Sequence, residues 1–105
     1  MFLPNRRNVY IDPAKLTYLL GHPSKAGWFN LMGFTEDSVR ILKNGLLWVG
    51  RTQPVIETEL TPYGTKYAVE GCIQNAEESL WPVRTIWIID TGQSAPRFVT
   101  ARPIK

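Results

Sequence analysis

Residues 55–72 read "VIETELTPYGTKYAVEGC", and within them the spacing of apolar residues passes from the helical period to the strand period. Ile56, Thr58 and Leu60 alternate with Val55, Glu57 and Glu59. Beyond the turn residues "TPYGT", Tyr67 and Val69 alternate with Lys66, Ala68 and Glu70. Successive side chains of a strand point to opposite faces, so the pattern predicts two strands joined by a turn, with one face wetter than the other. Downstream, "RTIWIID" (84–90) is apolar on both faces, as a central strand is. "RFVTAR" (97–102) is short and bounded by Pro96 and Pro103.

Upstream of Gly50 the period is helical. In "IDPAKLTYLL", Asp12 is a candidate N-cap and Pro13 takes the first helical position, where a missing N–H costs nothing. Leu16, Leu19 and Leu20 follow at i, i+3, i+4, and Gly21 with Pro23 ends the helix. A second helix is predicted from Ser24, with Ala26, Phe29 and Met32 inward and Gly33 as its stop. A third is capped by Thr35 and runs "EDSVRILKNG", with Glu36 and Arg40 as an i, i+4 pair, Val39, Leu42 and Leu46 on one face, and Asn44-Gly45 ending or loosening it. Helices first and an antiparallel meander after them make an α+β chain: N-terminal short helices packed on one face of an antiparallel sheet of about four strands. A length of 105 residues predicts one domain spanning 1–105.

Composition removes several functional classes. The chain is 44% hydrophobic and 20% charged, as folded proteins are, and no run reaches the roughly 18 apolar residues of a spanning helix. No membrane association is expected. "MFLPNRRNVYID" has charges but no apolar stretch behind them, which predicts a cytoplasmic protein. Cys72 cannot form an internal disulfide, and it cannot close a zinc site with the single histidine alone, so neither metal nor other cofactor is expected. Residues 1–52 hold seven Lys/Arg against three acids, and residues 53–105 hold five against six. Arg97, Arg102 and Lys105 follow the last acid, Asp90. Basic ends around an acidic middle suit a polyanion and also an ordinary solvated surface.

The chain carries no Gly-rich phosphate loop, HExxH, CxxC or GxSxG. What remains is a set of polar residues at element ends. His22 follows a helix, where it can titrate near neutrality and pass protons, or simply cap. Lys25 opposes the dipole of the helix it begins; it can stabilise a phosphate or lie on the surface. Arg84 with Thr85 can clamp a phosphate, or Arg84 can pair with Glu70 or Asp90. Thr100 and Arg102 are expected to share a strand face with Phe98, and Lys66 and Tyr67 complete the candidate set. Trp28, Trp48 and Trp87 are expected in the core. Trp81, in "SLWPV", is read as a loop residue able to stack on a base, meet a partner or pack inward. Cys72 is expected to be small and buried.

The pieces "IDPAKLTYLL", "HPSKAGWF", "MGFT", "YGTKYAVEG" and "VRTIWIIDTGQSAPRFVTARP" resemble a bacterial domain-of-unknown-function family of small stand-alone proteins, often encoded beside a short SH3-like protein. Related segments of the pattern K-L-x-x-Y-L-L…H-P…K-A…F…L-G-[FY] close the C-terminal toxin modules of contact-dependent inhibition and other polymorphic toxins. The resemblance spans nearly the whole chain. It implies a toxin module of the barnase, EndoU, colicin and RelE ribonuclease group, cleaving RNA, tRNA among its targets, by 2′-OH attack without a metal. A small antitoxin or SH3-like protein would be its partner. On that reading His22 is base or acid, Lys25 and Arg84 stabilise phosphate, Thr100 orients, and Lys66, Tyr67, Thr85 and Arg102 bind RNA. In the resembling segments more residues separate H-P from K-A than the lone Ser24 here, which puts more weight on Lys25 than on His22. The alternative is a non-catalytic antitoxin, immunity or scaffold module that binds through the "RFVTAR" edge or the Trp81 segment.

Overall fold

The computed structural model describes residues 1–21, 27, 29–35 and 38–104. Helix α1 (Pro13–Gly21) begins as its sequence predicts, with the Asp12 carboxylate accepting the Ala14 N–H at 2.9 Å, and it buries Leu16, Leu19 and Leu20. Residues 29–31 are helical and stop at Gly33. There the Phe34 N–H reaches the Phe29 carbonyl at 2.8 Å and the Gly33 N–H reaches Asn30 at 3.0 Å, with Gly33 at φ 93°. This double closure satisfies carbonyls the helix would otherwise leave open, and it requires a residue free to adopt positive φ.

Helix α2 (Val39–Thr52) departs from the expected stop at Asn44-Gly45 and continues for about two further turns. Tertiary packing overrides the local signal: Leu42, Leu46, Val49 and Gly50 are all buried, and a side chain at Gly45 would meet Ile73 at 3.1 Å. A Gly inside a helix costs about 1 kcal/mol, less than burying this face returns.

The sheet is a four-stranded antiparallel meander in the order β1 (Val55–Thr61), β2 (Gly64–Gln74), β3 (Leu80–Asp90) and β4 (Arg97–Pro103). The α+β architecture read from the sequence is the one observed. The N-terminal segment ties both outer strands: Val55 N–H donates to the Met1 carbonyl, while Tyr10 lies parallel to Arg97 and bonds Pro96 and Phe98. Edge strands are thereby partly covered.

The two sheet faces differ. On the helix side Tyr67, Val69, Ile73, Val83, Trp87, Phe98 and Ala101 join α1, α2 and residues Phe29, Met32 and Phe34 in one hydrophobic cluster. Thr85 lies among them without exposure, its hydroxyl donating to the Val69 carbonyl and accepting the Trp87 Nε1–H, both at 2.7 Å. Trp87 meets Phe98 edge-on at 5.3 Å. The opposite face carries Glu57, Lys66, Ala68, Glu70, Arg84, Ile86, Thr100 and Arg102 in register, and no described helix packs on it.

Several finer expectations change. Strand β3 starts at Leu80, so Trp81 lies in a strand opposite Ile73 rather than in a loop. Asn75 organises the connection instead: its side-chain oxygen accepts the Glu77 and Ser79 N–H groups and its amide donates to Met32 at 2.7 Å. Trp48 and Cys72 are exposed, because α2 carries Trp48 along the edge of the sheet rather than over its core and Cys72 alternates with buried Ile73. Ile56 and Leu60 are exposed on edge strand β1. Trp28 and the Glu36–Arg40 pair fall outside the described residues.

Candidate functional site

On the sheet face away from the helices, strand pairing places Arg84 between three charged neighbours. Glu70 is opposite it on β2 and Arg102 opposite it on β4, with Glu57 of β1 reaching across. Two like charges directly opposed on a ladder repel. Arg84 is held instead by carboxylates: Nη1 donates to Glu70 at 3.1 Å and Nη2 donates to Glu57. The hydrogen bond to Glu70, and secondarily the one to Glu57, raise the proton affinity of the guanidinium against the opposing effect of burial.

The side chain of Arg84 is 21% exposed, against 36% for Glu70 and 65% for Glu57. A shallow recess of about 90 Å³ lies over this cluster, lined by Glu57, Glu59, Lys66, Tyr67, Ala68, Arg84 and Ile86. Arg84 spends one hydrogen on each carboxylate, so its other N–H donors stay available to a third acidic group. The arrangement can bind an anion beside a carboxylate able to accept a proton.

Four of the sequence-derived residues share this face. Lys66 lies opposite Glu59 and Ile88, Arg84 opposite Arg102, and Thr100 opposite Ile86 one pair along. Tyr67 and Thr85 belong to the helix-side face and are buried, so their side chains do not join the group. One-residue alternation separates them from Lys66 and Arg84. His22 and Lys25 lie outside the described residues. Glu57 and Glu70 are the groups sequence reading did not place in a site. The signal that finds them is the strand register, which sets an acid opposite Arg84.

At the far end of the same face Arg97 closes on Asp90 through two hydrogen bonds, Nε to Oδ2 and Nη2 to Oδ1, both 3.0 Å. The hydrogen bonds to Arg97 hold the Asp90 carboxyl below the ordinary aspartate range. A depressed carboxylate stabilises the fold above its unfolded pKa, and that contribution disappears as pH falls through the folded value. Asp90→Asn is therefore expected to lower stability at pH 7 and to lose its effect in acid, below about pH 4. Urea midpoints measured from pH 7 downward test this; a gap of constant size throughout contradicts it.

The fold defines the chain as an α+β domain with helices preceding a four-stranded meander. Residues 2–105 match the family described as Domain of unknown function (DUF6883), and the protein belongs to that family. Comparison with curated proteins gives no match. Among solved structures, a chain of the contact-dependent growth inhibition toxin–immunity protein complex from Klebsiella pneumoniae 342 shares the fold. It has a TM-score of 0.74 and 15% identity, with 95% of this chain and 97% of that chain covered.

Proposed function

We propose that the protein is a metal-independent, RNA-cleaving toxin module of a toxin–immunity pair, acting on the open face of its sheet. The observation that carries this reading is the Arg84 guanidinium held beside Glu57 and Glu70 on a face no described helix covers. The near full-length likeness to a chain of a growth inhibition toxin–immunity complex supports the class.

RNA cleavage by its own 2′-OH needs a base, charge stabilisation at phosphorus and a proton for the departing 5′-oxygen. Glu70 is assigned the base, because it stands directly opposite Arg84 on the strand ladder and already accepts its Nη1–H. It takes the 2′-OH proton as the 2′-oxygen bonds to phosphorus. Arg84 hydrogen-bonds the non-bridging oxygens as their negative charge grows. The P–O5′ bond then breaks, leaving a 2′,3′-cyclic phosphate and a 5′-OH that takes its proton from His22. Lys25 keeps its assignment as phosphate stabiliser, Thr100 orients, and Lys66 and Arg102 flank the strand of RNA; Tyr67 and Thr85 drop out.

Incubation of the purified protein with total RNA or tRNA in chelator tests the reading. Arg84→Ala is expected to lower cleavage about 10²–10³-fold, the loss typical of a donor aimed at transition-state charge. Glu70→Gln should match it, and Glu57→Gln should cost less than about tenfold. Absence of cleavage by the unmodified protein, with no growth defect on expression, sinks the proposal.

A second reading is a non-catalytic partner-binding module, favoured by the engagement of Arg84 with two carboxylates, as in a purely structural clamp. It predicts that Arg84→Ala shifts the melting temperature alone.

A further inference from the structure

Strand β2 is longer than the strand that covers it. Pairing with β1 starts at Val55 opposite Val69, whereas β2 continues to Gln74. Residues 70–74 therefore have β3 on one side and, among the described residues, no strand on the other. An uncovered edge of this kind presents backbone donors and acceptors to another chain. Beside it runs a groove of about 440 Å³ between α2 and the edge, lined by Ile41, Asn44, Trp48, Cys72, Gln74 and Leu80. Its apolar members are unusually open: Ile41 is 40% exposed, Trp48 50% and Leu80 66%.

The charge on the helix wall of the groove selects the occupant, while Glu77 and Glu78 stand exposed in the turn beyond Gln74. Helix α2 carries Arg40, Lys43 and Arg51 and no acid. Arg40, Asn44, Trp48 and Arg51 stand at helical spacing on one stripe, so two cations bracket the wall of the groove. Arg6 adds a third, its guanidinium donating to the Arg51 carbonyl. Among the described residues none of these cations has a carboxylate partner. A second copy docked edge to edge would bring two such helices side by side, cation against cation.

We propose that the β2 edge and the α2 groove dock an extended acidic strand of a partner protein. Its backbone continues the sheet along residues 70–74, alternate apolar side chains rest on Ile41, Trp48 and Leu80, and its carboxylates meet Arg40 and Arg51. Such strand addition draws affinity from main-chain hydrogen bonds and selectivity from alternate side chains. The site extends away from Lys66 along β2, meets the proposed cleavage site only at the backbone of Glu70, and does not depend on RNA cleavage.

The test uses a peptide alternating valine and glutamate, with valine–lysine and proline-interrupted peptides as controls. Binding is read by the fluorescence anisotropy of a dye-labelled peptide and by hydrogen-exchange protection of residues 70–74. It is measured on the wild type, on Trp48→Glu and on Arg84→Ala. The glutamate peptide should bind saturably, with those amides protected, and weaken about tenfold or more in Trp48→Glu or in high salt. Arg84→Ala should bind as the wild type does, which separates this surface from the proposed cleavage site. Equal binding of the lysine peptide, no saturable binding of the glutamate peptide, or self-association abolished by Trp48→Glu overturns the proposal.

Discussion

Trp87→Ala is expected to lower the unfolding free energy by about 4 kcal/mol, the upper part of the range for deleting a buried aromatic ring. The midpoint of thermal unfolding should fall by roughly 20 °C in a domain of this size. Trp87 has no exposed surface, packs edge-on to Phe98 and gives its Nε1–H to Thr85. It also receives α2 at Gly50, so the ring joins both interior strands' neighbours to the helix. Removing it leaves a cavity where α2, β3 and β4 meet. Trp87→Phe keeps much of the volume but loses the hydrogen bond, and should cost about half as much. Chemical denaturation of the three proteins checks the order; an alanine variant within about 1 kcal/mol of wild type would place the core elsewhere.

The architecture was legible because the two hydrophobic periods occupy separate halves of the chain. Leu16, Leu19 and Leu20 announce a helix whose start is fixed by Asp12-Pro13, and Gly33 marks the stop of the next helical residues by a conformation that glycine takes easily. The α2 boundary was not legible, because Asn44-Gly45 is a real local stop signal. It is overridden by contacts of Gly45 with Ile73 and of Gly50 with Trp87, 28 and 37 positions away. The exposure of Trp48, Leu60 and Cys72 was hidden for a related reason. Apolar character says that burial is favourable, not that a partner surface exists at that end of the sheet. For the candidate site, Lys66, Arg84, Thr100 and Arg102 could be put on one surface only once the register was known. A shift of one residue would have exchanged them for Tyr67, Thr85 and Ala101. The register also supplied Glu57, which no motif marks, and selected Glu70 over Asp90 as the partner of Arg84.

Gly50→Leu is expected to destabilise the protein by about 3 kcal/mol, the larger end of what overpacking costs. Glycine in the body of α2 looks like a fault to be repaired, since an exposed Gly→Ala in a helix gains about 1 kcal/mol. Here the sign reverses. A Cβ at residue 50 would stand 2.7 Å from Trp87 Cζ2 and 3.0 Å from Cε2, closer than carbon atoms tolerate. The indole cannot yield, because Phe98 blocks its side and the Thr85 hydroxyl holds its Nε1–H. The helix must lift instead, and it would carry Leu46 and Val49 away from β2 and β3. Gly50→Ala should therefore cost about 1–2 kcal/mol in the native background. In a Trp87→Leu background, where the ring is gone, the same alanine should be neutral or stabilising. The two sites are in contact, so the double-mutant cycle should return a coupling of about 2 kcal/mol. A stabilising Gly50→Ala in the native background would mean that α2 sits farther from the sheet than its burial of Val49 and Gly50 requires.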